Sequence, residues 1–296
     1  MNTSKELKNI VKEKYSKIAL QDKAVNASSC CGATAPSNKK VYSIMMDDYS
    51  EVEGYNKEAD LGLGCGLPTQ FAHINKGDTV IDLGSGAGND CFIARHEAGE
   101  TGKIIGIDFT EAMINKARKN ADKMGYNNVE FRYGDIDDMP VSDQVADVIV
   151  SNCVLNLVPD KEKVIKEIYR VLKPGGHFSI SDIVLVGDLP EALRKDAEMY
   201  AGCVAGAIQK SEYMGYIEAL GFTNITLQKE KVITIPDDIL SNYLTPEEME
   251  DIESKNMGIF SITVYAKKPG EKSSDNQPDD KQVKKEDCCG VDADCC

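Results

Sequence analysis

Residues 79–89 read Thr-Val-Ile-Asp-Leu-Gly-Ser-Gly-Ala-Gly-Asn, a short apolar run that leads straight into a turn with glycine at every second position. Glycines at 84, 86 and 88 let a backbone turn tightly and approach a ligand, and a helix predicted over 89–98 adds oriented N–H groups at its start. The spacing is G-x-G-x-G, not the G-x-G-x-x-G of a pyrophosphate binder. Asp82, just before the turn, would repel a diphosphate and suits a positive centre. A second strand predicted over 103–108 ends in Asp108, an acid placed to take a ribose hydroxyl pair. An adenosine ligand without phosphates and bearing a cation describes S-adenosylmethionine.

Ligands of open parallel sheets bind beyond the carboxyl ends of the strands. The candidate cofactor contacts lie there: Asp82, Gly84, Ser85 and Gly86 at the first turn, Asp108 after the second strand, and Asp135 after a third strand over 129–133. Met113, in the helix after Asp108, is placed to pack on an adenine. A fourth strand over 145–152 ends Ser151-Asn152-Cys153, which turns Asn152 and Cys153 toward the same pocket.

The chain has ten cysteines. Three of them stand alone in settings that favour chemistry over packing. Cys65 sits between Gly64 and Gly66, Cys203 lies in Ala201-Gly-Cys-Val-Ala-Gly206, and Cys153 closes the fourth strand. Three isolated thiols on segments that reach the same strand ends suggest a convergent site. Soft thiolates select soft metals and metalloids. A trigonal pyramidal As(III) takes three, whereas zinc normally takes four. His73, His96 and His177 have no ligand-like spacing to a cysteine and read as structural, and Cys91 reads as core.

These groups need a scaffold that brings strand ends together. Strands at 79–83, 103–108, 129–133, 145–152 and 177–185 alternate with helices at 89–98, 111–124 and 160–172. That rhythm means an α/β fold: a doubly wound, Rossmann-like, mainly parallel sheet. Thr110 is the expected N-cap of the second helix, and Gly125 its stop. Pro68 is expected to open a helix reaching His73. After Pro190 the rhythm changes. A helix over 192–200, a helix capped by Ser211, and strands over 224–235 and 259–267 are expected to make a small C-terminal accessory region, part of it pairing at the sheet edge. The expected division is an N-terminal helix and lid segment (1–60), the cofactor-binding unit (61–188), the C-terminal α+β region (189–269) and a polar, acidic tail (270–296). The N-terminal helix, over 5–20, carries a Thr3/Glu6 capping box. The tail ends in the pairs Cys288-Cys289 and Cys295-Cys296.

A formal net charge of −15 argues against nucleic-acid or anionic-membrane surfaces and favours small-molecule or cationic partners. No apolar run approaches the length of a membrane span, and the first residues lack a signal-peptide pattern. The expected location is the cytoplasm, where reducing conditions disfavour a disulfide framework.

With these motifs together the chain resembles the arsenite S-adenosylmethionine methyltransferases of the class I methyltransferase superfamily, over about residues 28–268. The resemblance is carried by Gly64-Cys65-Gly66, Asp82-Leu-Gly-Ser-Gly-Ala-Gly88, Gly106-Ile-Asp108, Ser151-Asn-Cys-Val-Leu-Asn156, Leu172-Lys-Pro-Gly-Gly176 and Ala201-Gly-Cys-Val-Ala205. It implies methyl transfer from S-adenosylmethionine to As(III), or to As(III) arriving as a thiol conjugate. Cys65, Cys153 and Cys203 then look like the As(III)-site and redox cysteines, and Cys30 or Cys31 matches an additional N-terminal cysteine. It also implies that cysteine oxidation accompanies turnover and that a thioredoxin- or glutathione-type thiol resets it. Two other readings compete. One is a class I methyltransferase acting on a small organic substrate such as a quinone or sterol ring carbon. The other is a metalloid-sequestering protein built on the terminal Cys-Cys pairs.

Overall fold

The computed structural model describes residues 4–21, 47–188, 206–234, 241, 244–255 and 257–270. The expected helix over 192–200, Cys30, Cys31, Cys203, Thr3 and nearly all of the tail lie outside the described residues. The strands are β1 (Thr79–Leu83), β2 (Lys103–Asp108), β3 (Val129–Tyr133), β4 (Ala146–Asn152), β5 (Leu172–Val186), β6 (Thr223–Val232) and β7 (Gly258–Lys267). They form one sheet in the order β3-β2-β1-β4-β5-β7-β6. The first five are parallel neighbours, and β7 runs antiparallel to both β5 and β6.

Alternation along the strands builds two cores. Val80, Ile104, Val148 and Val150 point to one face, and Ile81, Leu83, Ile105, Ile107 and Ile149 to the other. A parallel sheet needs apolar groups on both faces because helices cover both. On the first face lie α2 (Asn89–Ala98) with Phe92 and α3 (Glu111–Met124) with Met113, and Ile18 and Ala19 of α1 (Ser4–Ala19) join them. The second face carries α4 (Lys161–Val171) with Ile165 and Ile168, and α5 (Lys210–Ala219) with Tyr213 and Ile217.

The segments from β1 to β3 occupy the spans their patterns predict. Gly125, with φ 68°, ends α3 and donates to the Ala121 and Asp122 carbonyls. Elsewhere the fold differs in detail. Thr110 holds the N-cap position of α3, but its hydroxyl caps nothing; Asp108 accepts its N–H instead. The segment opened by Pro68 makes a single 3-10 turn, Pro68–Phe71. β5 starts at Leu172, not 177. The Gln144 and Val145 N–H groups donate to the Arg170 and Val171 carbonyls, which carries the chain from α4 directly into pairing. Gln209, not Ser211, precedes α5, because Leu185 N–H donates to Ile208 and ties this entry to β5. The strands after residue 221 continue the sheet, with β7 paired to β5 from Val186–Gly258 to His177–Lys267. A further helix, α6 (Pro246–Ser254), precedes β7 in the chain. Among the described residues no helix is long and apolar enough to cross a membrane.

Candidate active site

The carboxyl ends of β1, β2 and β4 open into one cleft. The glycine turn folds across β2: the N–H groups of Gly84 and Ser85 both donate to the Ile107 carbonyl, at 2.8 and 2.9 Å. Gly84 adopts φ 69°, and a Cβ there would lie 2.4 Å from a Val154 methyl, so only glycine fits. Gly86 adopts φ 52° and would project a Cβ into open space, which leaves its backbone bare to a ligand. Asp108 is buried and accepts the N–H of Gly86 (3.0 Å) and of Thr110 (2.8 Å). Among the described residues, three buried polar atoms on the cleft wall have no hydrogen-bond partner: Ser85 Oγ, Asn89 Oδ1 and Thr110 Oγ1. Buried polar atoms are normally hydrogen-bonded, so the cleft is built for a polar ligand.

Its electrostatics select a cation. Asp82 is buried and Asp90 half-buried beside the turn. Burial pushes the Asp82 carboxyl well up, and the charge of Asp90 pushes it further. Asp90 is raised to about 6 by burial, against hydrogen bonds from Asn152 and Tyr49 that lower it. Burial also raises Asp108, against the two N–H donors. Carboxyls that resist ionising when the cleft holds no cation gain most from a positive ligand. The Cys91 thiol donates to Asp82 Oδ2 at 3.2 Å; burial and the Asp82 charge hold its pKa well up, so it stays a thiol.

α1 forms the outer wall. Tyr15 and Lys8 line the cleft, and Lys8 Nζ sits 3.0 Å from Asp137 and 3.3 Å from Asp135. Lys116 donates to the Ala19 carbonyl at the other end of the helix.

Beside this cleft Cys65 and Cys153 form a disulfide, with Cα atoms 5.7 Å apart across 88 positions of sequence. Both are buried. The Cys65 loop is held from outside. Asn152 Oδ1 accepts the Cys65 N–H (3.0 Å), Ser261 Oγ donates to the Cys65 carbonyl (2.6 Å), and Asn152 Nδ2 donates to the Gly66 carbonyl (2.8 Å), with Tyr49 Oη 3.0 Å from the same oxygen. Gly66 packs tightly, since a Cβ would lie 2.5 Å from Ser181 Oγ. Cys153 adopts φ 60°, and its N–H donates to the Ser181 carbonyl.

Asp82, Gly84, Ser85, Gly86, Asp108, Met113, Asp135, Asn152 and Cys153 all line the cleft, and Cys65 joins through its disulfide. Met113 is fully buried, and Asp135 is occupied by Lys8. Cys31 and Cys203 lie outside the described residues. Sequence reasoning missed Asp90 and Tyr49, which line the cleft, and Ser261. Asp90 had a weak signal as a second acid beside the glycine turn. Tyr49 fell in a segment without periodicity, and Ser261 depends on where β7 inserts. Among the described residues no cluster of three His, Cys, Asp or Glu has metal-site geometry.

A family model described as a methyltransferase domain matches residues 74–221. The chain is 37% identical over 276 residues to an arsenite methyltransferase of Halobacterium salinarum, covering 89% of this chain and 67% of that one. It is 34% identical over 242 residues to an arsenite methyltransferase of Aquipseudomonas alcaligenes, covering 79% and 67%. A solved arsenic(III) S-adenosylmethionine methyltransferase from Chlamydomonas reinhardtii aligns with a TM-score of 0.58 and 31% identity, covering 79% of this chain and 75% of that one.

Proposed function

The chain belongs to the arsenite methyltransferase family, and from that premise we propose that it methylates As(III) held by its own cysteine thiolates. The observation that carries this reading is the meeting of Cys65 and Cys153 at the edge of the cation-selective cleft. Cys203 is the third proposed ligand. It is carried by the resemblance of Ala201-Gly-Cys-Val-Ala205 to the family's motif.

The cleft fits S-adenosylmethionine, because its unpartnered Ser85, Asn89 and Thr110 atoms need a polar ligand and its carboxyls need a cation. Asp108 would take the ribose hydroxyls, the bare Gly86 backbone would allow close approach, and Asp82 with Asp90 would face the positive groups. Met113 would pack against the adenine. When bound, S-adenosylmethionine supplies an electrophilic sulfonium methyl to the arsenic lone pair.

The residues then act by placement. Arsenous acid exchanges its three hydroxyls for three thiols and releases three waters, so no net proton is lost. The thiolates fix arsenic with its lone pair toward the cleft, and alignment for in-line displacement supplies effective molarities of roughly 10⁵–10⁸ M. No general base is required, because arsenic carries no proton at the attacked position. Transfer of a methyl cation raises arsenic by two oxidation steps. Two cysteine thiolates can return those electrons by leaving as a disulfide, the bond between Cys65 and Cys153, while a water oxygen fills the vacated position on arsenic and its proton goes to solvent. A thioredoxin- or glutathione-type thiol then restores them by disulfide exchange, in a reducing compartment such as the cytoplasm.

The test is arsenic speciation after incubation with arsenite, S-adenosylmethionine and a dithiol. Methylated arsenic from the wild type, and its loss in Cys153→Ser and Cys203→Ser, upholds the reading. Absence of methylated arsenic from a wild type that still binds S-adenosylmethionine would move the activity to a small organic substrate.

A further inference from the structure

Asp90 touches neither cysteine, yet it ends the hydrogen-bond chain that holds one of them. Asn152 Nδ2 carries two hydrogens and Tyr49 Oη one. Around them lie three acceptors: the Gly66 carbonyl, the Tyr49 oxygen itself, and the Asp90 carboxylate, whose oxygens are 3.0 and 3.1 Å from Tyr49 Oη and 3.2 Å from Asn152 Nδ2. The count closes when Tyr49 donates to Asp90 and Asn152 serves Gly66 and Tyr49. Asn152 is thereby oriented with Oδ1 toward the Cys65 N–H. Tyr49, Asn152 and Asp90 come from three separate parts of the chain, so the Cys65 loop is gripped from outside itself. Without the Asp90 acceptor, the Tyr49 hydrogen would turn to the Gly66 carbonyl and compete there with Asn152.

We propose that Asp90 and Tyr49 are positioning residues that, through Asn152, keep Cys65 beside Cys153 after the bond between them is reduced, so that arsenic meets a pre-organised dithiol. The disulfide tethers the loop only in the oxidised state. In the reduced state this network and Ser261 are the fastenings on the Cys65 backbone. Both ring closures, to a disulfide and to an arsenic dithiolate, need the same approach of two sulfurs. The network therefore strengthens both to a similar degree. The inference deepens the arsenic reading and rests on it.

The experiment uses the full chain. Reduced protein is equilibrated in glutathione redox buffers, and the peptide linked through Cys65 and Cys153 is quantified by mass spectrometry. The same reduced protein is titrated with phenylarsine oxide, which closes on two thiols with release of one water. In Tyr49→Phe and Asp90→Ala the disulfide equilibrium should fall about tenfold, a shift of roughly 30 mV. Phenylarsine oxide affinity should fall in parallel. Asp90→Asn, which keeps an acceptor oxygen, should lose less of both. Ile168→Val, a core change on the far face of the sheet, should lower the melting temperature and leave both equilibria alone. Equilibria within twofold of wild type in natively folded Tyr49→Phe and Asp90→Ala would overturn the proposal, as would an equal shift in Ile168→Val. A shifted disulfide equilibrium in a protein whose wild type takes up no phenylarsine oxide would uphold the positioning role and sink the arsenic reading.

Discussion

Asp108 Oδ2 accepts the N–H of Gly86 at 3.0 Å, across the turn that opens the cofactor cleft. Its other oxygen accepts the Thr110 N–H at 2.8 Å. Each oxygen keeps a lone pair free, so the carboxylate is oriented before any ligand arrives.

Asp108→Ala should therefore weaken S-adenosylmethionine binding by about 30- to 100-fold, equivalent to about 2–3 kcal/mol for a lost charge-assisted pair. Asp108→Asn, which keeps one acceptor, should lose less. Calorimetric titration with S-adenosylhomocysteine measures both. Near-normal affinity in Asp108→Ala would remove this residue from the cofactor site.

Gly66→Ala tests the close packing under the cysteine loop. The new methyl would meet Ser181 Oγ at 2.5 Å and Ser181 Cβ at 2.6 Å, and Ser181 is itself bonded to Thr263 at 2.8 Å. Overpacking of this kind costs about 1–3 kcal/mol. The double variant Gly66→Ala/Ser181→Gly should recover much of that loss, because it removes both clashing atoms. Denaturant melts of the four proteins in the cycle give the coupling energy. Simple additivity would mean the two residues do not press on one another.

Much of this arrangement was legible in the sequence. The period-2 apolar runs at Val80-Ile81 and Ile104-Ile105 determine both sheet faces, and Gly125 stops α3 through a local backbone preference. The rule that ligands gather at strand ends placed Asp82, Asp108 and Asn152 on one cleft. What stayed hidden is non-local. Ser261 reaches Cys65 because β7 inserts between β5 and β6, and no short-range pattern encodes that order. Tyr49 lies in a segment with neither helical nor strand period. Its role emerges only when Asp90 and Asn152 arrive from elsewhere in the fold.

The Cys65–Cys153 bond should couple stability to redox state. It closes a loop of 88 positions, for which chain entropy gives about 4.6 kcal/mol of stabilisation. The oxidised protein should melt several degrees above the reduced protein, and Cys153→Ser should melt like the reduced form under both conditions. Function should run the opposite way: oxidation with diamide should abolish uptake of trivalent arsenical, and a dithiol should restore it. Undiminished uptake by the oxidised protein would show that these two sulfurs are not the ligands.

Stability should also fall as pH rises through the neutral range, because the carboxyls of Asp82, Asp90, Asp108 and Asp182 all sit above their ordinary 3.8. Asp182 is fully buried and raised to about 7 by burial, against the Ile183 N–H and the Lys161 charge that lower it. Its Oδ1 accepts the Asn156 amide at 2.8 Å, while Oδ2 has no partner among the described residues. Asp90 is raised to about 6. A folded state that holds protons more tightly than the unfolded chain is stabilised fully below the ordinary carboxylate pKa. That stabilisation is lost as pH climbs through the folded values, between about 4 and 7, and amounts to a few kcal/mol at most. Glu130 and Glu167, paired with Arg132 and Arg170, are lowered and act only at more acid pH. Burial lowers His177, which gives an opposite slope just below its usual 6.5. Asp182→Asn separates these contributions, since it deletes one carboxyl and keeps the Oδ1 acceptor. Melting curves of ligand-free protein from pH 5 to 7.5 should converge at the acid end for the two proteins and diverge toward neutrality, with the variant the more stable at pH 7.5. Curves that stay parallel over that range would show that Asp182 is already ionised in the folded protein.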